Sequence, residues 1–552
     1  LANRVLTLVA VAALALAGVY SFNKVPIDSY PDVTPSMVQI YTASPGLSPV
    51  DVETQVSYPV SIAMYGLPGL ERVQSTSIFG LSRVNVYFED GTDIYFARRL
   101  VMERLAKARE QIPEGLGEPQ LGPITSGLGR VMMYTVENTQ PGQYTPTELR
   151  TAQDWIVKPQ LRTVSGVTGV LSIGGYEKQY QITLDPNALS ARNITVAEVR
   201  RAIAENNRNV GGSFIDRGGE EYIIRGYGWV SPGEKGLDDL RTIQVTENNG
   251  TPVYIRDIAD VGFGPAIRRG TMIANGEEAV GGFVLKLFGS NTQALLEKVE
   301  AKIDTINQAL PDGMQVKPFY SQAGLIEKAS ATVEDALLEG SVLVLVLLFL
   351  FLGNLRSTLI VIASLPLSVL IAFIAMDYVG LSANLMSLGG LAIGIGMMVD
   401  GSVVMIENIF RHMEERAEED ISHLRLVGEA AAEIAQPVTF AIAIIVLVFT
   451  PLFTLQGTEG KLFSPMAYTI CFALVGALVM ALTFVPVMAS LLFKKGSAHG
   501  EPRVVGWLKA GYRPVRDAAI KAPIAVLSLA IVLFMSSLVI FPTLGTEFIP
   551  TL

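Results

Sequence analysis

The sequence contains few of the residues that cross-link chains or bind metal ions in water-soluble proteins. Its 552 residues include one cysteine, Cys471, and three histidines. A single cysteine can form no internal disulfide, which excludes a disulfide scaffold. Charged residues make up 17%, whereas soluble domains carry about a quarter. The net charge of −10 excludes a basic nucleic-acid-binding protein, and the 50% apolar content excludes a disordered chain.

Long apolar stretches account for the scarcity of charge. A helix needs about 20 consecutive apolar residues to cross the core of a bilayer. Stretch 5–22 lacks the small-residue cleavage site of a signal peptide, so we expect it to be a spanning helix. The sequence therefore predicts a membrane α-helical bundle with seven spans in this chain, at 5–22, 337–352, 359–375, 384–409, 434–455, 466–493 and 524–541.

The distribution of Lys and Arg predicts how these spans are oriented. The loops on one side are rich in both residues, whereas Lys461 is the only such residue in the short loops on the other side. Basic loops mark the cytoplasm, so segment 23–336 is predicted to be external. Segment 494–522, in which basic residues alternate with Trp507 and Tyr512, is predicted to be an interfacial helix on the cytoplasmic face.

The external segment has the pattern of an α+β insert of ferredoxin-like β-α-β subdomains. Strand and helix patterns follow each other as β-α-β-β-α and then recur, which divides the segment into 23–130 and 131–336. Capping boxes at Ser48, Thr145 and Thr195 mark predicted helix starts. A glycine-rich hairpin at 211–261 is predicted to be an inserted docking module. No nucleotide-binding loop or Cys/His cluster supports an enzyme.

Two acidic residues interrupt the predicted fourth span. An acid at bilayer depth costs several kcal/mol, so it calls for a functional reason. On a helix, Asp400 and Glu407 lie about 20° apart in angle and about 10 Å apart along the axis, which suits stepwise transfer of protons. Glu407 could instead form an ion pair with Arg411 near the cytoplasmic boundary. Glu339, near the external end of the second span, is a weaker candidate for proton entry or a boundary residue.

The same bundle carries glycines and methionines with two interpretations each. Gly390, Gly394 and Gly401 predict close packing against a neighbouring helix. Such packing would still be compatible with a proton relay buried in the interior of the bundle. Thioethers suit soft ions such as Cu(I) or Ag(I), so the methionines are candidate metal ligands, although methionine in an apolar helix is usually a packing residue. The candidates are Met386, Met398 and Met405.

Several motifs resemble those of a known family. The sequence is similar to the N-terminal half of resistance-nodulation-division (RND) exporters of the heavy-metal efflux branch, which includes the CusA/CzcA-like proteins. The resemblance extends over essentially the whole chain. The motifs that carry it lie at 31–34, 45–49, 66–70, 88–98, 126–129, 382–389 and 399–401.

The resemblance implies a secondary active transporter rather than an enzyme. It implies proton antiport through Asp400 and Glu407, a homotrimer, a periplasmic membrane-fusion adaptor, an outer-membrane channel and a heavy-metal cation as substrate, with no cofactor. It places the chain in the bacterial inner membrane, with the insert in the periplasm as two porter subdomains. The apolar stretches within residues 337–493 are spans two to six of the prediction. Residues 542–552 would then begin a second repeat.

One departure from the family pattern concerns the metal. Exporters of the zinc, cobalt and cadmium type carry an aspartate six residues before the position of Asp400, where this chain has Gly394. The departure favours the copper and silver type. Two alternatives stay open: an RND exporter of amphiphilic drugs or other organic molecules, and a non-transporting sensor or translocation relative of the fold.

Overall fold

The protein is described here by a computed structural model. It describes residues 3–248, 250–268, 270–352, 355–416, 421–493 and 503–543. The chain forms two compact units. One, the insert unit, is Thr34–Gly324; the other, the helical unit, combines Leu1–Val33 with Leu325–Leu552 and begins with helix α1 (Arg4–Lys24).

The first part of the insert unit is a four-stranded sheet covered by helices. The hydroxyl of Ser48 caps the first helix by accepting the backbone N–H of Asp51, and the helix has a π-helical turn at Glu53–Ser57 just before Pro59. The strand order is β2–β3–β1–β4. The elements in chain order are β1 (Met37–Ala43), α2 (Pro49–Val52), α3 (Tyr58–Met64), β2 (Leu70–Ile78), β3 (Leu81–Phe88), α4 (Ile94–Gln111) and β4 (Gln120–Leu121).

The second part repeats this arrangement. Thr145 and Glu148 form a complete capping box, as predicted, and a second π-helical turn at Gln153–Val157 precedes Pro159. The strands pair in the order β6–β14–β5–β15, which is the order of the first sheet when equivalent strands are matched. These elements are β5 (Arg130–Asn138), α5 (Pro146–Ala152), α6 (Lys158–Arg162), β6 (Val167–Gly174), β14 (Glu277–Lys286), α10 (Thr292–Ala309) and β15 (Met314–Ser321).

A third group of elements lies between β6 and β14 in the chain. Strand β7 (Lys178–Leu184) pairs with the distant β12 (Ala259–Pro265), and a second capping box, Thr195 with Glu198, starts α8. Every residue of the β8–β9 hairpin is exposed. The elements between β7 and β14 are α7 (Pro186–Ala191), α8 (Val196–Asn206), β8 (Val210–Arg217), β9 (Glu220–Gly226), α9 (Glu234–Arg241), β10 (Gln244–Asn248), β11 (Thr251–Tyr254), β12 and β13 (Met272–Ala274).

The helical unit is built from long apolar helices. It contains, besides α1, the end of α11 (Gln322–Leu352), α12 (Leu355–Val379), α13 (Leu385–Glu415), α14 (His423–Phe449), α15 (Gly457–Leu482), α16 (Phe484–Leu492), α17 (Arg503–Lys521) and α18 (Pro523–Ile540). Its buried core joins α12, α13, α14 and α15, and includes Val361, Met398, Met405, Val427 and Ala473.

Among the described residues, six segments are long and apolar enough to cross a membrane. They are Arg4–Lys24, Leu355–Val379, Leu385–Glu415, His423–Thr454, Gly457–Leu492 and Pro523–Ile540. The second predicted span, 337–352, is the one missing from this set; it is helical as the end of α11, but several of its side chains lie outside the described residues, so the count of seven stays a prediction. Residues 494–502 of the predicted interfacial helix and 544–552 of the predicted second repeat also lie outside them.

Candidate functional site in helix α13

Helix α13 begins at a well-defined cap. The side chain of Asn384 accepts hydrogen bonds from the backbone N–H groups of Met386 and Ser387, at 3.0 Å each. The Ser387 hydroxyl in turn accepts the backbone N–H of Asn384 at 2.8 Å. Because both partners are buried, the cap fixes where the helix starts and therefore the angular position of every residue that follows.

Asp400 and Glu407 lie on one uncovered face of this helix. The exposed residues recur every three or four positions, as Ile393, Gly396, Asp400, Val404, Glu407 and Arg411. We call this row the acidic stripe. In the described part of the chain, neither acid makes a hydrogen bond or ion pair. Two carboxylates held at different heights on an open face can accept and release protons without first breaking an internal contact.

Arg411 does not pair with Glu407. Its guanidinium donates to the side-chain oxygen of Asn408 at 2.7 Å and to Glu433 of α14 at 3.3 Å. The ion pair considered as an alternative role for Glu407 is therefore absent among the described contacts. Glu407 keeps the free carboxylate that proton transfer requires.

The contacts of Glu433 form a cluster that the sequence analysis did not single out. One carboxylate oxygen of Glu433 lies 2.5 Å from His412 Nε2 and accepts the Asn408 amide at 3.4 Å. That amide also donates to the carbonyl oxygen of Ala430 at 2.8 Å. We call Asn408, Arg411, His412 and Glu433 the α13–α14 clasp. It ties the part of α13 that follows Glu407 to the neighbouring helix.

A second ion cluster follows one turn beyond the clasp. Glu429 accepts hydrogen bonds from Arg416 at 2.7 Å and from Arg425 at 2.9 Å. In the sequence, both clusters could have been suspected from the two glutamates four residues apart in α14. Their partners could not have been predicted, because Arg411, His412 and Arg416 belong to a different helix.

The candidate metal ligands lie away from the acidic stripe. Met398 and Met405 are 2% and 0% exposed and belong to the same buried core as Met376 and Met480. Met386 is partly buried in the first turn of α13. The structure therefore places two of the three methionines among apolar side chains and does not bring them to the acids. No group of three or more His, Cys, Asp or Glu side chains suited to a metal occurs in the described residues.

The three glycines of α13 differ in how closely a neighbour approaches. A Cβ built on Gly390 would lie 2.4 Å from Thr469 Oγ1 and 2.7 Å from the Met466 carbonyl oxygen. One on Gly401 would lie 3.2 Å from Val438, and one on Gly394 would make an ordinary contact with Ala473 at 3.5 Å. Gly390 thus permits the tight approach of α15, while Gly401 contacts α14.

Glu339 lies exposed on α11. The structure puts a different polar contact near the acids, between Ser364 of α12 and Ser402 of α13, whose hydroxyl oxygens lie 3.2 Å apart. Both serines are buried, so this hydrogen bond holds α12 against the covered side of α13, behind the acidic stripe.

A bundle of apolar helices with two acids on one span, in one chain with a large sheet-containing unit, is the fold of the RND class. The chain belongs to the AcrB/AcrD/AcrF family, whose sequence profile matches residues 1–552. The predicted resemblance to the heavy-metal efflux branch is confirmed by the relatives and by solved structures.

Three comparisons illustrate this relationship. The cobalt-zinc-cadmium resistance protein CzcA of Cupriavidus metallidurans is 42% identical over 562 residues, covering 100% of this chain and 52% of the relative. The cation efflux system protein CusA of Escherichia coli is 38% identical, covering 88% and 47%. A crystal structure of a heavy metal efflux pump superposes with a TM-score of 0.84 at 32% identity, covering 99% of this chain and 52% of the pump. The chain spans about half the length of these relatives.

Proposed function

We propose that this chain forms part of a proton-driven exporter of heavy-metal cations in the bacterial inner membrane. The acidic stripe is the observation that carries the proposal. Asp400 and Glu407 are exposed, share one face of an apolar helix and make no internal ion pair in the described residues. Acids in spanning helices are costly and mark proton or ion pathways. From the metals in the names of the relatives, we infer that the transported substrate is a heavy-metal cation.

For the metal, we favour divalent cations of the cobalt, zinc and cadmium type. A relative named for resistance to these metals is 42% identical over the whole chain, and another relative, 37% identical, is named for nickel, cobalt and cadmium. This revises the preference for copper or silver that Gly394 suggested. The burial of Met398 and Met405 argues in the same direction, because packed thioethers offer no open ligand set.

The wider assembly follows the family pattern in this proposal. The exporter would be a homotrimer that works with a periplasmic membrane-fusion adaptor and an outer-membrane channel, with seven spans from this chain. The insert unit would lie in the periplasm as two ferredoxin-like porter subdomains. Its β-α-β-β-α-β order and the matching strand orders of its two sheets support that classification.

Survival of a deletion strain on a series of metals tests this proposal. The full-length gene should restore growth on zinc, cobalt or cadmium more strongly than on copper or silver, and Asp400→Asn should remove most of that resistance. Glu415→Gln, which neutralises an exposed acid of the same helix outside the acidic stripe, is the matched control and should retain it. Full resistance in Asp400→Asn at equal protein level would refute the role of Asp400.

A further inference from the structure

Helices α17 and α18 enclose an apolar groove with a positively charged residue at its side. Residues lining it from α17 are Tyr512, Val515, Arg516, Ala519 and Ile520, and those from α18 are Pro523, Val526, Leu527 and Ala530. The groove has a volume of about 690 Å³. No residue of α18 is buried in the described part of the chain, so nothing described there covers these apolar side chains.

The two helices have complementary chemistry. Within α17, Lys509, Arg513 and Arg516 recur at spacings of four and three residues and form one basic row. Helix α18 carries no charged residue and has 18 residues, about 27 Å, close to the thickness of a bilayer core. A basic row beside an apolar helix suits the binding of a molecule with an anionic head group and a long apolar tail.

Arg516 belongs both to the basic row of α17 and to the lining of the apolar groove. It lines the groove, and its guanidinium pairs with the adjacent Asp517 at 2.6 Å, with both side chains about half exposed. An exposed ion pair between neighbours is weak, so a phosphate can replace Asp517 at little cost. Arg can bind a phosphate through two parallel hydrogen bonds, as it can a carboxylate, so a phosphate can take the place of Asp517 on the same guanidinium.

We propose that this groove is a binding site for an anionic glycerophospholipid. One acyl chain lies along Val526, Leu527 and Ala530, and the phosphate is held by Arg516 with Arg513 nearby. The site uses the predicted cytoplasmic placement of α17, but it does not depend on the transported cargo. It therefore holds even if the proposed metal export fails.

Native mass spectrometry of the full-length protein tests the site. The protein is purified from bilayers containing equal amounts of phosphatidylglycerol and phosphatidylcholine, and the retained lipids are counted. The wild type should retain phosphatidylglycerol preferentially. Arg516→Gln should lower its affinity about fivefold, the share expected of one basic residue. Ala519→Trp, which fills the groove, should lower retention of both lipids.

Lys509→Gln is the control, because it removes the same charge from the same helix outside the groove lining. It should lower phosphatidylglycerol affinity less than Arg516→Gln does. Equal retention of the two lipids by the wild type, or equal loss in Arg516→Gln and Lys509→Gln, would overturn the proposal. In unmutated protein, a phosphatidylglycerol with a photoreactive acyl chain should label 512–530. If these residues are not labelled, for example because another part of the protein fills the groove, the proposal is overturned.

Discussion

His412 of α13 and Glu433 of α14 face each other at 2.5 Å, between His412 Nε2 and a carboxylate oxygen. Glu433 also accepts hydrogen bonds from Arg411 and Asn408, so one carboxylate joins three residues of the helix that carries the acidic stripe. The clasp therefore joins α13 to α14 at the end of α13 that follows Glu407.

Removing the carboxylate of the clasp should weaken the attachment of α13 to α14. We expect Glu433→Gln to lower the thermal unfolding midpoint of the protein in detergent, because Arg411 loses its ionic partner and His412 loses its charged acceptor. Glu415→Gln, which removes an acid at the end of α13 outside the clasp, should leave the midpoint unchanged. Equal midpoints for wild type and Glu433→Gln would show that the clasp does not hold the helices together.

Two adjacent glycines of α13 provide a matched test of its packing. In Gly390→Ala, the new methyl group meets Thr469 Oγ1 and the Met466 carbonyl oxygen at well below contact distance. Overpacking of this kind costs about 1–3 kcal/mol. In Gly389→Ala, the methyl group meets nothing within 4 Å, so a neutral or slightly stabilising effect is expected. Thermal unfolding of the two variants should separate them, and an equal loss in both would contradict the close approach of α15.

A buried tyrosine in the insert unit predicts that the stability of the folded state decreases at alkaline pH. Tyr134 is fully buried and exchanges hydrogen bonds with Gln153, and burial raises the pKa of its hydroxyl far above the ordinary value of 10. A pKa raised in the folded state means that this stabilisation is complete below pH 10. It falls as pH rises further, because the unfolded state then loses a proton that the folded state retains.

Tyr134→Phe should therefore be less stable than the wild type at neutral pH. The expected loss is about 1–3 kcal/mol, because Gln153 loses a buried partner. The difference should shrink above pH 10, since the variant has no hydroxyl to ionise. Unfolding of the full chain at pH 7 and at pH 10.5 measures this. A difference that stays constant or grows with pH would contradict the proposed cause.

Local patterns in the sequence predicted much of the insert unit. The capping boxes at Thr145 and Thr195 depend on residues three positions apart, and both form as predicted. The structure also has a π-helical turn that ends two residues before each of Pro59 and Pro159. Proline cannot donate a backbone hydrogen bond, and the wider turn accommodates that loss.

Pairings between distant segments were not predictable in the same way. The alternation of Tyr180, Ile182 and Leu184 indicated a strand but not its partner β12, about 80 residues later in the chain. In α13, helical geometry correctly put Asp400 and Glu407 on one face. It gave no indication that Arg411 would turn to Glu433, because that choice depends on how α14 packs.

The proposed function requires Asp400 to carry protons. Proton flux through the full-length protein, reconstituted in vesicles with an internal pH indicator, measures this. A pH gradient with zinc present should give a zinc-dependent proton flux in the wild type, close to none in Asp400→Asn and a partly restored flux in Asp400→Glu. An undiminished zinc-dependent flux in Asp400→Asn would contradict the account.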